Sequence, residues 1–290
     1  MIKKVKTGII GTGNIGSDLL VKILRSPVLE CGIFTGINPK SKNIKRAQKM
    51  GVPTAYDSIN AIINNPDSCE IVFDATSAKI HTEHAPILKK LKKFTIDLTP
   101  SKVGKLCVPS VNLKACLEED NVNMITCGAQ ATIPIINALM KAQHQTGYVE
   151  IVSSISSQSA GIGTRSNIDE YTRLTSEAIM ELTFVPKAKA IVILNPSDPP
   201  IHMQNTIYAK IHTSDITLIQ KEIFAAVKRL KKYVPGFALL HKPIVQNGML
   251  VIISEVTGRG DYLPAFAGNL DVMNSAAVRV AEEYAKKRLL

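Results

Sequence analysis

The stretch GIIGTGNIGSD, residues 8–18, decides the fold of this chain. It joins an apolar run that predicts a buried strand to a segment with the apolar spacing of a helix. A G-x-G-x-x-G spacing occupies its centre: Gly11, Thr12, Gly13, Asn14, Ile15 and Gly16. In such a unit the first glycine permits a tight turn, the second lets the backbone approach a pyrophosphate, and the third lets the helix pack closely. The stretch therefore predicts a dinucleotide-binding loop at a helix N-terminus.

Apolar runs alternate with helical segments from the first residues to about residue 145. The runs predict further strands at CGIFTGIN (31–38), CEIVFDAT (69–76), FTIDLTP (94–100) and VNMITC (122–127). Regular alternation of strands and helices predicts a doubly wound parallel sheet of the Rossmann type, which is an α/β fold.

After residue 148 the apolar runs are longer and alternate with polar residues, which predicts an α+β part with an antiparallel sheet. A final amphipathic segment predicts a C-terminal helix. We therefore predict a dinucleotide-binding domain over residues 1–130, completed by the helix 268–290. Residues 131–267 form the predicted α+β catalytic and dimerisation domain. A homodimer is expected, because the sheet of the second domain usually mediates dimerisation in this broad fold.

Composition narrows the classes of protein. The 290 residues contain no apolar run of the roughly 18–20 residues that a membrane-spanning helix requires. The net charge of +11 comes from dispersed lysines without interleaved aromatic residues, so we predict neither nucleic-acid nor membrane binding. Five cysteines without CxxC spacing favour free thiols in a reducing cytoplasm, with no disulfide framework and no metal site.

The end of the second predicted strand bears on the cofactor. Its sequence, FTGINPKSK, places Asn38 where such folds usually have a carboxylate for the adenosine ribose, and Lys40 and Lys42 follow. An asparagine bonds a ribose hydroxyl without repelling a 2′-phosphate. We therefore predict NAD as cofactor, with tolerance of NADP as a hypothesis.

Cys127 stands where the strand VNMITC meets an apolar helical segment. A helix N-terminus favours the thiolate, which is the form that attacks carbonyl carbon. The backbone N–H groups that follow Cys127 are candidate donors to the resulting oxyanion. The other four cysteines, Cys31, Cys69, Cys107 and Cys116, lack this setting and are interpreted as buried filler or surface thiols.

Motifs across nearly the whole chain resemble acylating acetaldehyde dehydrogenases of aromatic meta-cleavage pathways, which work with a 4-hydroxy-2-oxovalerate aldolase. The matching stretches are IIGTGNIGSD, IVFDATSA, IDLTP, CVPSVNL, NVNMITCGAQATIP, SAGIGTRSNIDEYT, ILNPSDPP and YLPAFAGNLD. The resemblance implies a semialdehyde-dehydrogenase-like architecture. It also implies that acetaldehyde, NAD+ and coenzyme A give acetyl-CoA and NADH through a cysteine thioester.

The resemblance assigns roles to particular positions. Cys127 would carry the acyl group, Thr12 to Ile15 would contact the cofactor first, and Asn269 would close the site. A loop would cover the nicotinamide side: Ser159, Ala160, Gly161, Ile162, Gly163, Thr164, Arg165, Ser166 and Asn167. Without the resemblance, this loop is only a Gly/Ser-rich turn, and Asn269 is a candidate helix cap.

Two departures from the family pattern stand out. Asn205, in MQNTIY, replaces an aspartate that is thought to help activate the thiol, so we predict a slower or more alkaline pH–rate profile. A segment that the family usually carries is missing near residue 248, which weakens the inference of an aldolase partner. We name Cys127 and Asn205 as the catalytic positions.

Other polar residues receive simpler interpretations. His81 and His84 lie three apart on a basic helix and are predicted to be surface residues. Asp74 and Asp97 end strands and either shape the site or cap turns.

Two alternatives to an acylating dehydrogenase stay open. A semialdehyde or acyl-phosphate reductase would have the same architecture. A non-catalytic, NAD(H)-sensing partner subunit of an aldolase would keep only the nucleotide site.

Overall fold

The computed structural model describes residues 4–143, 146–161, 165, 167–211 and 215–289. The chain divides into two compact units. Unit 1 comprises residues 1–109, 113–124 and 274–290, and unit 2 comprises residues 110–112 and 125–273. No helix of the described residues is long and apolar enough to span a membrane.

Unit 1 contains a seven-stranded sheet in which all neighbouring strands are parallel. The strands are β1 (Val5–Ile10), β2 (Leu29–Thr35), β3 (Thr54–Ala55), β4 (Ile71–Asp74), β5 (Phe94–Asp97), β6 (Lys105–Leu106) and β7 (Asn121–Asn123). The helices between them are α1 (Asn14–Arg25), α2 (Lys42–Lys49), α3 (Asn60–Asn64), α4 (Ala78–Lys90) and α5 (Pro109–Cys116). This is the predicted Rossmann-type α/β fold.

The strand order, β3-β2-β1-β4-β5-β7-β6, reverses between β1 and β4. In open α/β sheets a crevice forms at such a reversal, outside the carboxyl ends of the strands. The glycine loop after β1 and the turn after β4 therefore lie side by side. Every residue of β4 and β5 is buried, which explains their continuous apolar sequence.

The last helix, α9 (Gly268–Leu289), returns the chain to unit 1 from Asn274 onward. The Nδ2 atom of Asn274 donates to the Asp18 Oδ2 atom at 2.8 Å and to the Ile15 carbonyl at 3.2 Å. Tyr284 stacks on Phe94 with 4.0 Å between ring centroids. These contacts join the C-terminal helix to the helix that follows the glycine loop and to strand β5.

Unit 2 contains a six-stranded sheet, and its described residues form helices on either side of several strands. The strands are β8 (Val149–Ser156), β9 (Ala188–Asn195), β10 (Met203–Lys210), β11 (Phe237–Leu239), β12 (Ile244–Gln246) and β13 (Met249–Val256). The helices are α6 (Cys127–Ala142), α7 (Ile168–Thr183) and α8 (Ile216–Leu230), and the main strand order is β11-β13-β10-β8-β9 with β12 beside β13.

The sheet of unit 2 is mixed, so the prediction of an antiparallel sheet is wrong for one pair of strands. β8 and β9 are parallel, whereas the other pairs are antiparallel. The reason is the crossover helix α7, which carries the chain from the end of one strand back to the start of the other.

The hairpin between β12 and β13 closes through Asn247 and Gly248, both with positive φ. Gln246 pairs with Met249, so the loop has only two residues. An Asn-Gly pair suits this turn because both residues tolerate left-handed backbone angles. Near residue 248, where the resemblance predicts a missing segment, the chain therefore has a minimal hairpin turn.

Candidate active site

The glycine loop of unit 1 owes its shape to two close backbone contacts. A Cβ atom at Gly11, whose φ is +111°, would lie 2.5 Å from the carbonyl oxygen of Ala75 in the turn after β4. A Cβ atom at Gly16 would lie 1.9 Å from the carbonyl oxygen of Gly11. A Cβ atom at Gly13 would meet no described atom within 4 Å. Gly11 and Gly16 therefore allow the loop to close, while Gly13 faces open space.

The N-terminus of α1 leaves room for an anion. Gly13 is the N-cap residue, and no side chain of the described residues caps this helix. Uncapped N–H groups and the positive end of the helix dipole favour a phosphate group at such a terminus. The Nδ2 atom of Asn43 on α2 donates to the carbonyl of Thr12 at 2.7 Å and fixes the loop from outside. Sequence reasoning missed Asn43, because nothing local connects it to the loop.

The segment after β2 carries the residues predicted to face the adenosine ribose. Asn38 is exposed, and its Oδ1 atom accepts a hydrogen bond from the Lys40 backbone N–H at 2.9 Å. The side-chain oxygen of Asn38 thus shapes the loop. Lys40 is also exposed. This arrangement offers a donor and a cation, and no carboxylate, at the end of β2.

Asp74, at the end of β4, anchors a buried polar cluster in unit 1. Its Oδ2 atom lies 2.9 Å from His81 Nδ1 and 2.8 Å from His84 Nδ1. Its Oδ1 atom accepts hydrogen bonds from the backbone and the hydroxyl of Thr76. The prediction of surface histidines is wrong, since His81 is 0% and His84 6% exposed. The i, i+3 spacing of the histidines on α4 lets both imidazoles reach one carboxylate.

The electrostatics of this cluster favour charged groups. Burial would raise the pKa of Asp74, but hydrogen bonds from His81, His84 and Thr76 outweigh burial and hold this pKa well below its usual range. Burial would likewise lower the pKa of His81, but the bond to Asp74 and the charges of Asp97 and Asp74 raise it. Asp74 is therefore ionised at neutral pH and accepts a hydrogen bond from the Nδ1–H group of each histidine.

Asp97, at the end of β5, takes the turn-capping role. Its Oδ1 atom accepts from the Thr99 backbone N–H at 2.7 Å, and its Oδ2 atom accepts from the Asn123 amide at 2.7 Å and from Ser101 Oγ. Burial raises the pKa of Asp97 to about 6, although the charge of His81 and these bonds act in the opposite direction. Together Asp74 and Asp97 fix the turns at the carboxyl edge of the sheet.

Cys127 is the first residue of α6 in unit 2. Thr126 caps the helix, because its Oγ1 atom accepts from the Ala129 N–H at 3.1 Å. The Cys127 side chain is buried, with 8% of the residue exposed. The other four cysteines are also buried and free, and each lies outside a helix N-terminus. The structure therefore distinguishes Cys127 from them by its position at a capped helix start.

The hydroxyl of Tyr171, on α7, contacts the Cys127 sulfur. The Tyr171 Oη atom lies 3.2 Å from Cys127 Sγ and accepts a hydrogen bond from the Gly128 N–H at 2.9 Å. Burial raises the pKa of Cys127, and the Tyr171 hydroxyl and the N–H groups of Gly128 and Cys127 itself oppose that rise. Sequence reasoning missed Tyr171, because the contact depends on how two helices pack.

The expected oxyanion donors are already bonded in this structure. The Gly128 N–H donates to Tyr171 and the Ala129 N–H to Thr126. Each of these two N–H groups therefore already has a side-chain acceptor in this structure, and their role as oxyanion donors stays a prediction. The polar group that faces the sulfur is the hydroxyl of a neighbouring helix.

Asn205 lies in a row of polar side chains on the buried face of the sheet of unit 2. It pairs with Ser153 on β8 and with Ser254 on β13, and all three residues are 0% exposed. Ser153 Oγ donates to Asn205 Oδ1 at 2.7 Å. Asn205 Nδ2 and Ser254 Oγ have no hydrogen-bond partner among the described residues. A Cβ atom at Gly128 would lie 3.1 Å from Ser153 Oγ, so this row runs close to the start of α6.

The loop predicted to cover the nicotinamide is described in part. Ile162, Gly163, Thr164 and Ser166 lie outside the described residues. The guanidinium of Arg165 donates to the carbonyls of Ala160, at 3.1 Å from Nε, and Ser157. Arg165 thus holds the loop backbone. Asn269 is 3% exposed, and its Nδ2 atom donates to the Ser159 carbonyl at 3.5 Å, which brings two predicted cofactor contacts together.

Comparison with known proteins agrees with this architecture. The family model described as "Prokaryotic acetaldehyde dehydrogenase, dimerisation" matches residues 127–264. An acetaldehyde dehydrogenase from Geobacillus stearothermophilus is 48% identical over 290 residues, which cover 99% of this chain and 98% of that protein.

Two solved structures share the fold at low sequence identity. Aspartate semialdehyde dehydrogenase from Candida albicans, solved with NADP, is 10% identical with a TM-score of 0.70 and covers 99% of this chain and 100% of its own. Aspartate semialdehyde dehydrogenase II from Vibrio cholerae, complexed with ASA, is 12% identical with a TM-score of 0.64 and covers 97% of this chain and 98% of its own. With nearly half its residues identical to the bacterial relative along its full length, the chain belongs to the acetaldehyde dehydrogenase family.

Proposed function

We propose that this protein oxidises acetaldehyde with NAD+ and transfers the acetyl group to coenzyme A, giving acetyl-CoA and NADH. The observation that carries the proposal is the position of Cys127, which begins the capped helix α6 and touches a hydroxyl group. Of the five cysteines, Cys127 is the one that forms the first residue of a helix, where the dipole opposes the cost of burying a thiolate. Membership of the acetaldehyde dehydrogenase family supports the choice of substrate.

The chemistry assigned to Cys127 has three steps. The thiolate adds to the carbonyl carbon of acetaldehyde, which forms a carbon–sulfur bond and leaves a negative charge on oxygen. The electron pair on that oxygen then re-forms the C=O bond as a hydride leaves the carbon for NAD+. An acetyl thioester remains on Cys127. The thiolate of coenzyme A then attacks the thioester, forms acetyl-CoA and releases the cysteine thiolate.

The residues of the glycine loop fit a dinucleotide cofactor. The open space at Gly13 and the uncapped N-terminus of α1 suit a pyrophosphate. A bound nicotinamide would supply the acceptor for the hydride. We assign Gly11, Gly13 and Gly16 to the cofactor loop, and Asn38 to the ribose, with NAD preferred and NADP tolerated.

Further cofactor contacts are assigned in unit 2. The Oδ1 atom of Asn269 is buried without a partner among the described residues, so it suits an amide N–H donor such as a carboxamide. We assign Asn269 and the loop from Ser159 to Asn167 to the nicotinamide side. Within that loop, Arg165 would act by holding the backbone in place.

Asn205 is assigned to the thiol site as a positioning residue. It accepts a hydrogen bond from Ser153 Oγ, and that oxygen lies close to Gly128 at the start of α6. An amide cannot take a proton from a thiol. Asn205 would therefore orient neighbouring groups, while the proton from Cys127 leaves by another route.

One assay tests the proposed reaction. NADH formation from acetaldehyde is followed by the absorbance of the reduced nicotinamide, with and without coenzyme A. We expect turnover that depends on coenzyme A in the parent protein and a loss of about 1,000-fold or more in Cys127→Ala. Cys116→Ala, another buried cysteine at the end of α5, is the matched control and should keep the activity.

The same assay separates the rival functions. Turnover that requires inorganic phosphate in place of coenzyme A would identify an acyl-phosphate reductase. Tight NADH binding without turnover would identify a nucleotide-sensing subunit. A Cys127→Ala variant that retains parental turnover would refute the thioester mechanism.

We further propose that two copies associate through the open face of the sheet in unit 2. One row across four strands presents Ile253, Thr206, Val152 and Ile191, all half-buried on the face opposite Asn205. The family model that matches this region is named for dimerisation. An aldolase partner and a role in aromatic catabolism remain predictions from the resemblance, and a cytoplasmic location remains a prediction from the cysteine pattern. Sedimentation or light scattering will show whether the protein is a dimer.

A further inference from the structure

Tyr171 has a hydroxyl group whose single proton is directed by its neighbours. A backbone N–H can only donate, so the Tyr171 oxygen is the acceptor in its 2.9 Å bond with Gly128. The hydroxyl proton is then left for another acceptor. The Cys127 sulfur lies 3.2 Å from the same oxygen. A thiolate at this position would receive the proton in a charge-assisted hydrogen bond.

The packing around α6 and α7 holds this hydroxyl in place. The Thr175 hydroxyl donates to the Tyr171 carbonyl at 2.6 Å and lies 2.8 Å from the hydroxyl of Thr126, the cap of α6. Thr126 therefore joins the start of α6 to the turn of α7 that carries Tyr171. The orientation of the phenol follows from this pair of helices rather than from a flexible loop.

The residue next to the cysteine makes room for the same hydroxyl. A Cβ atom at Gly128 would lie 2.6 Å from Tyr171 Oη and 3.1 Å from Ser153 Oγ. Any larger side chain would displace one of these polar groups. The hydroxyl at position 171 thus requires glycine at position 128. This steric argument is independent of the hydrogen bond between the two residues.

The protonation state of Tyr171 suits a donor. Burial, followed by the adjacent sulfur of Cys127, raises the pKa of Tyr171 well above its ordinary value, so the phenol keeps its proton at neutral pH. It cannot act as the base that removes the thiol proton. The Oδ1 atom of Asn205 accepts a hydrogen bond from Ser153, and an amide cannot remove the thiol proton.

We propose that Tyr171 is a catalytic residue that donates a hydrogen bond to the Cys127 thiolate and so reduces the cost of forming that thiolate in a buried site. The inference rests on the proposed function, because it assigns a role in the same thiolate chemistry. It also accounts for how a chain with an amide at position 205 would maintain a reactive sulfur. The donor comes from α7, a different element from the strand that carries Asn205.

The test measures ionisation of Cys127 without substrate, cofactor or coenzyme A. The rate of alkylation by iodoacetamide is followed at increasing pH, over the whole range in which each variant stays folded, and the peptide containing Cys127 is quantified by mass spectrometry. Loss of a hydrogen bond to a charged group corresponds to about 1–2 pKa units. We therefore expect Tyr171→Phe to raise the midpoint by about that amount and to slow alkylation at neutral pH by about 10- to 100-fold.

Two further variants keep the experiment decisive. Tyr208→Phe removes a hydroxyl from the opposite face of the sheet in unit 2 and should leave the midpoint unchanged. Gly128→Ala keeps the phenol but displaces its oxygen, so it should shift the midpoint in the same direction as Tyr171→Phe. If circular dichroism shows that Tyr171→Phe is unfolded, the midpoint of Gly128→Ala decides whether Tyr171 has the proposed role.

An unchanged midpoint in Tyr171→Phe, or in Gly128→Ala where the first variant is unfolded, would overturn the role of Tyr171. The proposed function fails separately, if the parent forms no NADH with coenzyme A while its Cys127 titration still depends on Tyr171. In the pH profile of kcat, Tyr171→Phe should move the acidic limb to higher pH, whereas a merely structural loss would lower kcat at every pH.

Discussion

The two units each bury a polar cluster, and the clusters differ in charge and in how many of their polar atoms have hydrogen-bond partners. In unit 1, the Asp74 carboxylate accepts bonds from His81, His84 and Thr76 and is ionised. In unit 2, the row formed by Ser153, Asn205 and Ser254 is neutral and leaves two polar atoms without partners among the described residues. Both oxygens of the Asp74 carboxylate accept hydrogen bonds, whereas part of the neutral row has no partner among the described residues.

This difference distinguishes buried polar groups that hold the fold from buried polar groups that serve a site. A buried charge is tolerated only when it is fully paired, so the Asp74 cluster holds the turn against which Gly11 packs. Unsatisfied buried polar atoms in a native protein require an explanation, such as a catalytic role. The cluster near Cys127 therefore gives up some stability, which is consistent with a site that must accommodate reacting groups.

The largest effect is expected when the charged cluster loses its carboxylate. Asp74→Asn removes the acceptor shared by two buried imidazoles and should lower the free energy of unfolding by about 3–5 kcal/mol at pH 7. Since the pKa of Asp74 is lowered in the fold, its contribution is present above its ordinary pKa and is lost as the pH falls. Urea unfolding at pH 7 and pH 3 measures both the loss and its decline.

Asp120→Asn is the matched control for that experiment. Asp120 forms an exposed ion pair with Lys89 at 3.3 Å, so its replacement should change the free energy of unfolding by less than about 0.5 kcal/mol. Equal destabilisation by the two substitutions would contradict the structural role of the cluster.

A smaller effect with a definite pH dependence is expected at His81. His81→Gln leaves Asp74 with one imidazole and should cost about 1.5–3 kcal/mol, the range for a hydrogen bond to a charged group. The pKa of His81 is raised in the fold, so its contribution is full below its ordinary pKa of 6.5 and is lost as the pH rises through the folded value. The difference in unfolding free energy between parent and variant should therefore be larger at pH 6 than at pH 9. A difference that grows with pH would refute the assigned charge state.

The neutral cluster is tested by restoring a carboxylate. Asn205→Asp would place an acid beside Ser153 Oγ and should move the pH–rate profile for NADH formation to lower pH, with about a tenfold gain at pH 7 from general-base assistance. Asn205→Ala provides the control, since it removes the amide without supplying a base. If Asn205→Asp leaves the profile unchanged, position 205 does not take part in activating the thiol.

The smallest effect is expected at Ser254. Its Oγ atom is buried without a hydrogen-bond partner among the described residues, so Ser254→Ala removes an unsatisfied group and should be neutral or stabilising by up to about 1 kcal/mol. Ser153→Ala, which deletes a satisfied donor to Asn205, should instead be destabilising by about 1 kcal/mol. Thermal unfolding of both variants compares the two serines, and a loss at Ser254 as large as that at Ser153 would contradict the difference.

Much of the fold is predictable because its causes are local. Gly11 and Gly16 are needed for contacts within one strand–loop–helix unit, so their spacing alone indicates the loop. The parallel sheet of unit 1 follows from apolar runs that alternate with helices. The parallel pair β8 and β9 escaped prediction, because the alternation within a strand does not reveal the direction of its neighbour.

The candidate site is less predictable because its contacts join distant parts of the chain. The position of Cys127 at a helix start could be read from the sequence, but its contact with Tyr171 spans 44 residues. His81 and His84 were misread for a related reason: a basic helix looks exposed until a carboxylate at the end of β4 accounts for its histidines. A strand-ending aspartate followed by a His-x-x-His spacing was the available signal.

The two-residue hairpin at Asn247 and Gly248 has a practical consequence for protein engineering. Its ends are already adjacent, and extending a surface loop costs little closure entropy, so extra residues can be inserted here with small thermodynamic cost. The turn is thus a natural point for inserting a short foreign segment. Thermal unfolding of such an insertion variant would measure the cost.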